Sequence, residues 1–223
     1  MLTKARKPAI SHSATHPILS DRTLYPYFWR TIIPDTPLLM GMPPLALELG
    51  FTEVALVVAP VMSGLTESSI DAIKAAGLKT VGPNLGVASG YDWDVNGFWL
   101  AEDTYEEALY VVKMFKRTPA RYMIANLYAS HMRLIGCAMY HENVRGTILV
   151  HLGWFSVSWF VPTEDEVNAG FPCTTEQMKV VAEGSLSLNV QFHRPDQVPS
   201  HGCVPGTNPL ELIKQYAWLF IRP

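Results

Sequence analysis

An α/β fold is predicted for this chain: a doubly wound parallel sheet with helices on both faces. Two observations predict it. First, Val54-Ala55-Leu56-Val57-Val58 is a short apolar run of β-branched type that suits a buried parallel strand, and Arg121 to Leu127 and Thr147 to Leu152 read as further strands. Second, the segments between them carry helical spacing and helix-end signals. Strand–helix alternation repeated about five times leads to a parallel sheet covered on both sides.

Residues 1–24, rich in Ser, His and Pro, read as irregular. Gly41, Pro43 and Pro44 interrupt the next segment, so its helix is expected from Pro44 to Leu49, with an irregular lead-in from Pro37. Gly50 ends it as a C-cap. The strand at 54–58 follows. Thr66-Glu67-Ser68-Ser69 opens a helix reaching Gly77, and Leu78 to Val81 is a second strand. Residues 82–100 hold several glycines, prolines and aromatics and read as loop. Thr104 caps a helix to about Arg117, with Ala108, Leu109, Val112 and Phe115 on one face. After the strand ending at Leu127, Ser130 to Asn143 is helical, with Met132, Ile135, Met139 and Tyr140 inward. Thr174 starts a helix to Glu183, Ser185 to Phe192 is an outer strand, Pro195 to Pro209 is loop, and Leu210 to Phe220 is a final amphipathic helix.

The chain has 223 residues, 48% hydrophobic and 17% charged, which suits one globular domain with ample core. A net charge of −3 is too mild to point to nucleic acid or a membrane surface. No run of 18 apolar residues suggests a spanning helix, and Met1 to Lys7 lacks the apolar stretch of a signal peptide. Asn-x-Ser/Thr is absent. Three cysteines, Cys137, Cys173 and Cys203, without a Cys-x-x-Cys pair argue against a zinc ribbon or thioredoxin-like site. One disulfide plus a spare thiol, or three reduced core thiols, both fit the count.

Ligands of open α/β sheets meet the carboxyl ends of the strands. There this chain offers Ala59-Pro60-Val61, Tyr128 and Trp154. Two aromatics at successive strand ends make a wall suited to apolar or cationic groups, an ammonium included, or they pack as ordinary core and rim residues. The phosphate-cradling glycine patterns and the Gly-x-Ser-x-Gly nucleophile elbow are both absent. His12 and His16, or His193, His201 and Cys203, lack regular metal-ligand spacing, so no metal site is expected. His141 sits at a helix end, where the dipole favours it. Glu164-Asp165-Glu166 reads as a solvated loop. No nucleophile, base and orienting group converge, so neither catalytic residues nor a cofactor is expected.

Three stretches carry a family likeness. The first runs from Pro17 to Arg22 and then through Tyr25-Pro26-Tyr27-Phe28-Trp29-Arg30-Thr31-Ile32-Ile33-Pro34-Asp35. The second runs from Ala120 through Tyr128, Arg133, Cys137, Tyr140 and Gly146 to Gly153-Trp154-Phe155 and Trp159-Phe160. The third is Cys173-Thr174-Thr175-Glu176-Gln177-Met178, then Glu183-Gly184. Together they resemble the receptor family ligand-binding region, a type I periplasmic-binding-protein or Venus-flytrap fold. Within it they most resemble the extracellular domain of metabotropic GABA type B receptors, class C G protein-coupled receptors.

The resemblance implies that residues 1–35 are a remnant of lobe 1 with the crossing segment. It implies that 36–223 are lobe 2, incomplete at its C-terminus. Tyr128 and Trp154 look like the lobe-2 aromatics that close over an amino-acid ligand. Cys137 and Cys173 look like the lobe-2 disulfide pair. Thr15 falls where the family has a lobe-1 ligand serine. Ile32 falls where the GABA-binding subunit has a ligand-contacting histidine, and isoleucine cannot hydrogen-bond. The implied partners are a small amino-acid-like ligand, the rest of lobe 1, a transmembrane domain and a receptor dimer partner. The implied place is the extracellular side of a plasma membrane. A soluble amino-acid-binding protein of the transport type, or an α/β enzyme with an unrecognised site, are the alternative readings.

Overall fold

The computed structural model describes residues 7–153 and 158–189. Trp154, Cys203, the end of the strand expected at Ser185 to Phe192, the loop expected at Pro195 to Pro209 and the helix expected at Leu210 to Phe220 therefore lie outside the described residues. The main sheet is wholly parallel. Its strands are β3 (Glu53–Val58), β4 (Lys79–Val81), β5 (Phe98–Trp99), β6 (Tyr122–Asn126), β7 (Ile148–Leu152) and β8 (Leu186–Leu188). Their spatial order is β4-β3-β6-β7-β8, with β5 continuing along the β4 side of β3. Upstream, β1 (Ala9–Ser11) and β2 (Phe28–Arg30) form a separate parallel pair.

Helices cover both faces. Along β3, Val54, Leu56 and Val58 pack with Leu39, Met42 and Ala46 of α1 (Thr36–Glu48) and with Leu65, Ile70 and Ile73 of α2 (Ser63–Ala75). The alternate residues Ala55 and Val57 face the other way. They join Val111, Val112 and Phe115 of α4 (Tyr105–Lys116), Met132, Ile135 and Met139 of α5 (Ala129–His141) and Met178 of α7 (Thr175–Ala182). The strand is thus apolar on both sides, which is why its sequence is a continuous run rather than an alternation. Burying each large aliphatic side chain contributes about 1.5–3 kcal/mol.

The helix ends follow local chemistry. Thr104 Oγ1 accepts the Glu107 N–H at 3.3 Å, and Glu106 and Glu107 occupy the favourable end of the α4 dipole. Thr104→Ala is expected to lower stability by about 1 kcal/mol, read as a shifted urea midpoint with unchanged slope. An unchanged midpoint would mean that solvent replaces the cap. Gly50 (φ 83°) and Gly77 (φ 70°) follow α1 and α2 in the left-handed conformation that a Cβ disfavours.

Three sequence expectations change. The helix expected from Pro44 begins at Thr36 and runs through Gly41, Pro43 and Pro44. The prolines remove two donors from the helix ladder. Burial of Leu39, Met42, Pro43 and Ala46 against the sheet, and a 2.8 Å bond from Tyr122 Oη to the Met42 carbonyl, hold it nonetheless. Residues 82–100 contain the short helix α3 (Leu85–Ser89) and β5. Asn84 caps α3 by accepting the Val87 N–H at 2.8 Å, while two-residue β5 is too short to show a period. Residues 1–24 hold β1 and a 3₁₀ turn at Pro17–Ser20, again too short for a pattern. Elsewhere, apart from a short helix at Glu164–Asn168 where a loop was expected, the described elements begin and end within a few residues of expectation. No described helix is long and apolar enough to cross a membrane.

Candidate functional site

The chain leaves β3 towards β4 and leaves β6 towards β7, and β3 and β6 are neighbours, with Val58 opposite Asn126. Such a reversal opens a crevice at the strand carboxyl ends. Asn126 ends β6 and is fully buried. Its Nδ2 donates to Ser69 Oγ of α2 at 2.8 Å. Its Oδ1 has no hydrogen-bond partner among the described residues. Tyr128 follows as the N-cap of α5. It is 42% exposed, with its ring stacked on His131 at a centroid distance of 6.3 Å.

His131 is buried, and burial pushes its pKa below the ordinary imidazole value against the opposing pull of Asp103, whose Oδ1 lies 3.8 Å from Nε2. Its Nδ1 also lacks a partner among the described residues. The β6–α5 junction therefore offers an exposed aromatic face above buried polar groups.

Thr15 lies in the segment between β1 and the 3₁₀ turn. Its carbonyl accepts the Asp35 N–H at 3.1 Å, and its hydroxyl hydrogen-bonds the Asp35 side chain. Asp35 is buried at the start of α1. Burial raises its pKa, while Thr15, Arg30 and His16 oppose the rise. Arg30 gathers the same segment by donating to the Ala14 and His16 carbonyls, each at 3.1 Å. The His16 ring lies against Gly64 in the first turn of α2, where any side chain would collide with it. The segment bearing Thr15 thus packs against the start of α2 through His16, just past the carboxyl end of β3. Ile32 is half-buried between β2 and α1. Trp154 lies outside the described residues.

A solvent-open cavity of about 490 Å³ lies between the first turns of α4 and α5 and the 169–172 connection. Asp103, Tyr105, Ser130, Leu134, Glu166 and Phe171 line it, and Tyr128 does not. A second, of about 440 Å³, borders Val87, Tyr91 and Trp93. Tyr91 stacks on Trp93 at 4.3 Å, and Trp99 meets Trp93 edge-on.

The Glu164-Asp165-Glu166 run is not a solvated loop. It forms α6 (Glu164–Asn168), closed by a reciprocal cap between Thr163 and Glu166. Glu166 Oε1 receives Arg133 Nε and Nη2 at 2.9 and 2.7 Å, and Arg133 Nη1 donates to the Trp159 carbonyl at 2.9 Å. The spacing Thr163-x-x-Glu166 was the signal in the sequence for this helix.

Cys137 of α5 and Cys173, just before the Thr174 cap of α7, are joined by a disulfide with a Cα–Cα distance of 5.7 Å. Both are buried, at 0% and 5% exposure. His141, one turn beyond Cys137, places Nε2 3.7 Å from Cys173 Sγ.

The parallel order β4-β3-β6-β7-β8 reverses direction between β3 and β6, and the exposed Tyr128 stands at that switch point. The family described as the receptor family ligand binding region matches residues 1–168, and the chain belongs to it. Its main sheet and paired helix layers are those of one lobe of a type I periplasmic-binding-protein-like domain. Among curated proteins it is similar to the gamma-aminobutyric acid type B receptor subunit 1 of Mus musculus. The two are 22% identical over 190 residues, which is 83% of this chain and 18% of that protein. It is similar also to subunit 2 of Homo sapiens, 22% identical over 209 residues, 93% of this chain and 20% of that protein. The chain spans about a fifth of the length of these relatives.

Proposed function

We propose that residues 36–223 form lobe 2 of the ligand-binding region of a GABA-B-like class C G protein-coupled receptor, with residues 1–35 a remnant of lobe 1 and the crossing. It senses an amino-acid-like small molecule by closing against lobe 1, shifting an open–closed equilibrium that exists without ligand. It is a binding module and not an enzyme. Its working place is the extracellular side of the plasma membrane, with a transmembrane domain and a dimer partner belonging to the parent receptor.

The observation that carries this reading is Tyr128, exposed at the switch point where the family fold presents its crevice. Trp154, next after the Gly153 that follows β7, is assigned to the same wall on its sequence position alone. Thr15 is the lobe-1 contribution. Ile32 supplies no hydrogen bond at a position where the GABA-binding subunit resemblance implies a histidine, which counts against GABA itself as the ligand.

The isolated chain supplies an aromatic wall without the polar cradle of a whole lobe 1. An ammonium over an aromatic face gains about 0.5–2 kcal/mol, while millimolar binding requires about 4 kcal/mol. Titration calorimetry of the purified chain against GABA, glutamate, glycine and branched amino acids should show no heat of binding. Binding should appear when a lobe 1 is supplied, and weaken at least tenfold with Tyr128→Ala. Micromolar affinity of the chain alone for any of these would overturn the two-lobe reading in favour of a complete binding domain.

A further inference from the structure

Three metal-ligating atoms converge on the face of α5 opposite in role to the crevice. Cys137 and His141 stand four residues apart, on one side of the helix. Cys173 reaches them from the connection before α7. Their ligand atoms lie within 4.8 Å of one another. In the oxidised chain the two sulfurs are bonded to each other and are not thiolate ligands. We propose that, once this disulfide is reduced, Cys137, Cys173 and His141 form a three-ligand site for a borderline-soft divalent cation such as Zn²⁺, with water as the fourth ligand.

The geometry fits the chemistry. A tetrahedral zinc ion with sulfur at about 2.3 Å and nitrogen at about 2.0–2.1 Å holds the two about 3.6 Å apart. Cys173 Sγ and His141 Nε2 are already separated by 3.7 Å. Only the sulfurs must part, to about 3.8 Å in such a site, and the Cα–Cα distance of 5.7 Å keeps both thiolates within reach of one ion. The histidine is held from behind. Tyr105 Oη lies 2.5 Å from His141 Nδ1, with the rings edge to face. With its proton on Nδ1 donated to Tyr105, His141 presents the Nε2 lone pair to the sulfurs, the outer support that histidine ligands use. Two ligands are buried and His141 is exposed, so the ion has an entry on the solvent side.

The step balances. A dithiol reductant breaks the Cys137–Cys173 bond, delivers two electrons and two protons, and leaves as its own disulfide. Zn²⁺ binding then displaces both thiol protons to solvent. The site is therefore read out only under reducing conditions, and it is independent of the crevice and of the receptor reading.

The test uses the full chain carrying Cys203→Ser, so that only two thiols remain. Zn²⁺ is competed against a chromophoric chelator, and Co²⁺ is added separately for its tetrahedral ligand-field and thiolate charge-transfer bands. The reduced protein should bind one ion and show those bands, while the oxidised protein binds none. His141→Ala should weaken binding at least 30-fold, and Tyr105→Phe about tenfold through loss of the supporting bond. Zn²⁺ should also raise the Tm of the reduced protein, and should do so less in His141→Ala. Equal affinity in His141→Ala, equal binding by the oxidised protein, or a reduced chain that zinc neither binds nor stabilises would each overturn the proposal.

Discussion

Replacing Cys137 and Cys173 together by alanine is expected to lower the unfolding free energy by about 3–4 kcal/mol, from the chain entropy of a crosslink of this span. The bridged residues are 36 apart, so the crosslink removes a long excursion from the unfolded ensemble. It fastens the middle of α5 to the start of α7, and α7 precedes the edge strand β8. Loss of the bond should therefore loosen this side of the sheet before the β3–β6 centre. Both sulfurs are buried, so small voids add to the entropic loss. Urea denaturation of the oxidised wild type, the reduced wild type and the double variant is the measurement. The reduced wild type should lose the crosslink contribution alone and the double variant somewhat more, by the cost of the voids, and amide exchange should accelerate first in α7 and β8. A difference under about 1 kcal/mol between oxidised and reduced wild type would show that the unfolded chain gains no freedom from the missing crosslink.

The sequence made the sheet legible where burial is two-sided. Val54 to Val58 can only be an interior strand because every residue faces a helix layer, and the apolar run follows directly. Helix ends were legible where a side chain does the capping, as at Thr104 and Thr174. Reading failed where tertiary packing outweighs local preference. Pro43 and Pro44 are poor helix interior residues, yet the helix is anchored by the burial of Leu39 and Met42 and by the Tyr122 hydroxyl donating to the Met42 carbonyl. It failed also where an element has only two or three residues, as in β1 and β5, because no period can be established over that length. At the candidate site, the strand-end position of Tyr128 was accessible from the order of elements alone. The orphaned polar atoms of Asn126 and His131 were not, because burial of a lone polar residue leaves no pattern. The partner of Glu166 was hidden for another reason. Arg133 lies 33 positions away, and only the fold brings the two together.

Removing that partner gives the other large effect: Arg133→Ala is expected to destabilise the protein by about 2–4 kcal/mol. Breaking a fully buried ion pair from one side costs about 3–5 kcal/mol, and Glu166, with its side chain 23% exposed, recovers part of this through water. Arg133 is itself buried and satisfies two acceptors at once, Glu166 Oε1 and the Trp159 carbonyl. Arg133→Lys should recover little of the loss, because an ammonium does not reproduce the planar fork. Glu166→Gln should cost less than Arg133→Ala, since an amide oxygen can still receive the guanidinium. The pH dependence separates the ion pair from simple packing. Burial alone would raise the Glu166 pKa, but bonds from Arg133 and Thr163 outweigh it and hold the folded value below the ordinary carboxylate range. A carboxylate depressed on folding gives stability that is whole above its unfolded pKa, about 4.3, and is lost as the pH falls through the folded value. The neutral, buried His131 and His151, whose pKa values burial depresses, add a loss that begins as the pH falls below about 6.5. Wild-type stability should therefore decline in two stages on acidification. Arg133→Ala should keep the first stage and flatten the second. Urea midpoints measured from pH 8 to pH 3 will show this, and a variant whose midpoint falls in parallel with wild type below pH 5 would mean that Arg133 contributes by packing alone.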